Sequence, residues 1–70
     1  MKTIYKNVDE IIQLLKKIKE EGCYNKYGIN VKETLTEEDL EKLQNAGFTI
    51  NIFFPNKIDG EKCLMYIFNV

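Results

Sequence analysis

The chain has 70 residues, ten basic and eleven acidic side chains, a net charge of −1 and two cysteines. That is enough for a single domain, 1–70, with a small core. It is too near neutrality for charge alone to draw it to nucleic acid or anionic lipid. Histidine, serine, arginine and tryptophan are absent, which excludes a Ser-His-Asp triad and a Cys-His pair at once.

Along the chain, Thr3-Ile4-Tyr5 is a candidate short strand. A helix is predicted over 8–21. Asn7 is its N-cap, with Glu10 three residues on in a variant of the capping box. Val8, Ile11, Ile12, Leu15 and Ile18 recur at helical spacing, and Leu14 widens that stripe. Lys16, Lys17 and Lys19 suit the C-terminal end of the helix dipole, and Gly22 suits the position just past the end. Residues 23–28 (Cys-Tyr-Asn-Lys-Tyr-Gly) read as a loop with Gly28 as a breaker. The alternation in Ile29-Asn30-Val31-Lys32-Glu33 predicts a short strand over 29–33. A second helix is predicted over 37–46, capped by Thr36 and opened by Glu37, Glu38 and Asp39. Leu40, Leu43 and Ala46 make its narrow stripe, and Gly47 closes it.

The last third is a β-hairpin. Phe48 to Phe54 and Cys63 to Val70 flank a turn around Ile58-Asp59-Gly60. A three-residue loop with Lys57 opposite Glu61 is a type I turn followed by Gly60 in the left-handed conformation. It pairs Phe54 with Leu64, Ile52 with Tyr66, Ile50 with Phe68 and Phe48 with Val70, all facing the helices. A two-residue Asp59-Gly60 loop shifts the register by one and divides the apolar set between both faces, so it is rejected. Thr49, Asn51 and Asn69 then fall on the other face with Phe53, Met65 and Ile67. Pro55 has no donor, so its strand is an edge there. Two strands cannot stand alone, and residues 29–33 are expected to join them. The expected fold is α+β, with two helices packed on one face of an antiparallel sheet of about three strands ending in the C-terminal hairpin.

No catalytic constellation is readable. Cys23 follows a helix C-terminus and Cys63 sits in a strand, neither of which stabilises a thiolate. The glycines are isolated, so no phosphate-binding loop is present. The acidic run from Glu37 reads as a solvated first turn matched to the helix dipole. Two distant cysteines without histidine do not make a structural zinc site. The expectation is therefore a non-enzyme with no catalytic residue, no metal and no cofactor. The scattered cysteines and the lack of a secretory segment point to the cytoplasm, and no apolar run reaches the roughly 18–20 residues of a membrane span.

Two surfaces stand out as candidate protein contacts. One is the hairpin face carrying Phe53, Met65 and Ile67, with Cys63 nearby. The alternative for it is that residues 3–5 or a loop fold over it. The other is the loop with Tyr24 and Tyr27, since tyrosine joins a large apolar body to a polar tip. Its alternative is that the rings cap the core. The expected function is a small protein-binding or regulatory protein whose partner is another protein or a second copy of itself. The prevalence of Lys, Asn, Ile and Glu, whose codons are A/T-rich, suggests a low-GC bacterium, a phage or a mobile element, and so an inhibitor of a host protein. The second reading is a nucleic-acid-binding, winged-helix-like module, since helix, strand, helix and hairpin loosely follow that order. Against it, the would-be reader helix opens with three acidic residues, only one helix precedes it, and the commonest guanine contact has no arginine to make it.

Overall fold

The computed structural model describes residues 3–70. Its elements are β1 (Ile4–Tyr5), α1 (Val8–Glu21), β2 (Lys26–Val31), α2 (Glu37–Asn45), β3 (Thr49–Ile58) and β4 (Glu61–Asn69).

Both helices begin and end where local chemistry directs. The Asn7 side chain accepts a hydrogen bond from the Asp9 N–H at 2.8 Å, which satisfies one of the free donors at the start of α1. Gly22 ends that helix with φ +69, a left-handed conformation that glycine adopts without a Cβ clash. At α2 the capping box is complete. The Thr36 hydroxyl accepts from the Asp39 N–H at 3.1 Å, and the Asp39 carboxylate accepts from the Thr36 N–H at 3.2 Å.

The sheet runs β1-β2-β4-β3. It is mixed and four-stranded, where about three antiparallel strands were expected. The added strand is β1, which pairs parallel to β2 through Ile4 with Asn30 and Tyr5 with Val31. Parallel neighbours need a crossover, and α1 supplies it. Residues 3–5 therefore extend the sheet edge and do not fold over a face. β2 starts at Lys26 rather than Ile29 because β4 offers it partners from Asn69 to Leu64. Gly28 does not break it. A Cβ there would meet the Met65 sulfur at 3.0 Å and the Ile67 Cδ1 at 3.1 Å. Those two side chains fill the space that a larger residue would take.

The hairpin register differs from the expected one near the turn. Ile58 pairs with Glu61, leaving Asp59-Gly60 as a two-residue turn. Both turn residues have positive φ, +50 at Asp59 and +83 at Gly60, as the type I′ hairpin turn requires. Pairing continues through Pro55–Leu64, Phe54–Met65, Phe53–Tyr66 and Ile52–Ile67. A β-bulge between Ile50 and Ile52 then restores the expected Ile50–Phe68 pair. The expected pairing thus holds on the Ile50 side of the bulge and is displaced by one residue on the turn side.

The helices cover one face of the sheet. Val8, Ile11 and Leu15 of α1 and Leu43 of α2 form one buried cluster with Leu35, Phe48, Ile29, Val31, Tyr66 and Phe68. Tyr66 is buried with its hydroxyl accepting from the Leu35 N–H at 3.1 Å, so neither polar group is left unpaired.

Candidate interaction face

Side chains alternate across a sheet, so the register decides what the uncovered face carries. Tyr66, Phe68 and Leu64 of β4 point to the helices. Cys63, Met65 and Ile67 point away, as do Asn30 and Gly28 of β2 beside them and Ile52, Phe54 and Asn56 of β3. No helix lies over these residues. Ile52 remains 52% exposed and Phe54 42%. Met65 and Ile67 are half-buried because they lie over Gly28. The result is an apolar strip of Ile52, Phe54, Met65 and Ile67 across the two strands of the hairpin.

A polar cluster borders the strip. The Asn56 side chain donates to the Asn30 side-chain oxygen at 2.9 Å, reaching across β4. The Cys63 thiol lies 3.9 Å from the same oxygen. Asn30 and Cys63 are both buried. The charged positions on this face are at its ends. Lys26 is at one, and Lys32 with Glu61 is at the other, their charged atoms 3.6 Å apart.

Phe53 is not part of this face. The one-residue displacement turns it to the helix side, where it stacks on Tyr66 with ring centroids 4.8 Å apart and planes inclined by 10°. It is still 54% exposed, at the edge strand β3. Its former neighbours Met65 and Ile67 do lie on the open face, and Ile52 and Phe54 take its place. Sequence reasoning missed both. The available signal was Asp59-Gly60, one of the strongest short hairpin sequences.

The tyrosines form a separate feature. Tyr24 and Tyr27 meet edge to face at 5.6 Å. Tyr27 packs against the core cluster, while Tyr24 is 52% exposed. Tyr27 pairs with Phe68 on the helix side, so the pair does not extend the open face. Cys23 is exposed and Cys63 buried, and both are free thiols. Among the described residues, no group of three or more His, Cys, Asp or Glu side chains is gathered to hold a metal ion, and no helix is long and apolar enough to cross a membrane. Lys19, one of the basic residues of α1, sits 5.8 Å from the centre of the Phe48 ring.

No known family model, curated protein or solved structure matches this chain.

Proposed function

We propose that this chain is a non-enzymatic protein-binding protein whose contact surface is the open face of its sheet. The observation behind this reading is the exposed pair Ile52 and Phe54 beside Met65 and Ile67, on a face over which no helix lies. Contiguous apolar patches of this kind mark interaction sites on soluble proteins. Interface centres are also poor in charge and rich in aromatic residues and methionine, and the charges here stand at the two ends. The same feature weighs against nucleic acid, whose phosphates need a basic surface.

The mode of contact follows from the edge. β3 presents its outer side to solvent, and a partner strand would add there. That edge is blunted by the bulge beside Asn51, by Pro55 without its N–H, and by Lys57. All three are recognised obstacles to edge pairing. Packing across the face avoids these obstacles.

Site-specific photocrosslinking tests this. A photoreactive phenylalanine analogue at position 54 is expected to capture a partner protein or a second copy of the chain, and the same analogue at exposed position 16 on α1 is not. Equal labelling from both positions, or none from 54, contradicts the reading.

A further inference from the structure

The register of the hairpin is set by opposing terms. The stretch joining Ile50 to Phe68 has one residue too many for an unbroken ladder closed by a two-residue turn. That surplus residue has two places to go. It is taken up as the bulge at Asn51, as observed, or as a third residue in the turn. In the second arrangement Ile58-Asp59-Gly60 forms a type I loop with Gly60 left-handed, and the ladder has no bulge.

Four features hold the observed arrangement. Asp59-Gly60 suits the type I′ turn. Phe53 stacks on Tyr66. Asn56 bonds to Asn30. Finally, a two-residue turn closes on a hydrogen-bonded pair, Ile58 with Glu61, and the pattern alternates from there. Pro55 therefore faces the open edge, where its missing N–H costs nothing. Two features oppose it. Lys57 stands directly across from Lys62, a like-charge pair that destabilises. The bulge also interrupts the ladder. In the displaced arrangement Lys57 faces Glu61, and Ile52 and Phe54 turn to the helix side opposite Tyr66 and Leu64. Asn56 leaves Asn30, and Pro55 is asked for a donor it lacks.

We propose that the hairpin beyond Ile50 exchanges between the observed register and a minor one displaced by one residue, the surplus residue moving between the bulge at Asn51 and the turn. The exchange alters the open face. The major register displays Ile52 and Phe54 there, and the minor one displays Phe53 instead. A partner that reads Phe54 therefore selects the major register. The exchange belongs to the hairpin itself and holds whether or not that face has a partner.

Nuclear magnetic resonance on the intact, isotopically labelled chain tests it. The register is read from close Cα-proton contacts across non-hydrogen-bonded pairs: Phe53 to Tyr66 in the major register, Ile52 to Tyr66 in the minor one. Chemical exchange is expected from Ile52 to Glu61 and absent at Thr49 and Ile50. Pro55→Ala restores a donor that only the minor register uses, and is expected to raise its population about fivefold, the worth of one net hydrogen bond. Ile58→Pro pre-sets the first loop position of a type I turn and deletes the N–H that the major register pairs with Glu61. Its main contact is expected to be Ile52 to Tyr66. The proposal is overturned if residues 52–61 show no exchange in both the native chain and Pro55→Ala. It is equally overturned if Ile58→Pro keeps the Phe53 contact or loses all cross-strand contacts.

Discussion

The two faces of the sheet are made by the same strands and differ in what lies over them. On the helix face, Phe68 and Tyr66 are sealed by side chains from other elements, with Ile11, Leu15, Leu43 and Phe48 at most 1% exposed. On the other face, burial comes from within the sheet itself. Met65 and Ile67 fold over Gly28, and Asn56 reaches across to Asn30. The apolar residues at its β3 side, Ile52 and Phe54, stay about half exposed. Apolar character alone therefore does not separate core from surface in this chain. The difference is whether another element arrives to exclude water.

Substitutions on the two faces should behave oppositely. The largest loss of stability is expected on the helix side. Phe68→Ala, which empties a fully buried site, should cost about 3–5 kcal/mol in chemical denaturation and leave little folded protein. Tyr66→Phe keeps the ring and removes the acceptor of the Leu35 N–H. Leaving that buried donor unpaired should cost about 1–3 kcal/mol by the same measurement. Phe53→Ala removes an exposed stacking partner of Tyr66, and a loss of about 0.5–1.5 kcal/mol is expected with partner capture unchanged. Smallest of all should be Ile52→Asp with Phe54→Asp, at most about 1 kcal/mol per site, the span of strand propensity. A loss there as large as that of Phe68→Ala would show that the open face is core after all.

What was legible in the sequence follows the range of the interactions involved. The helices are local: Asn7, Gly22 and the Thr36–Asp39 box mark their limits within a few residues, and 8–21 and 37–46 differ from the structure only at Ala46, which is the C-cap. The hairpin strands are equally local. The register is not. Placing Ile50, Ile52 and Phe54 together on the core face assumes a regular ladder, and the chain instead carries a bulge between β3 and β4, with Asn56 bonded to the distant Asn30 and Pro55 turned to the edge. β1 was readable only as a candidate, because a two-residue strand exists through its parallel partner. The candidate face was half legible for the same reason. Met65 and Ile67 lie on β4, whose alternation is unbroken, while the β3 contribution depended on the displaced register, which exchanged Phe53 for Ile52 and Phe54.

Partner capture by the double variant Ile52→Asp, Phe54→Asp, set against the native chain and read beside each protein's amide spectrum, bears on the open face without intermediaries. The native chain is expected to retain a partner protein or to self-associate in sedimentation. The variant should lose that association at least tenfold while its amide spectrum stays native outside the hairpin. Association that survives in a folded variant, or a native chain that is monomeric and retains nothing, would contradict the assignment of this face as the contact surface.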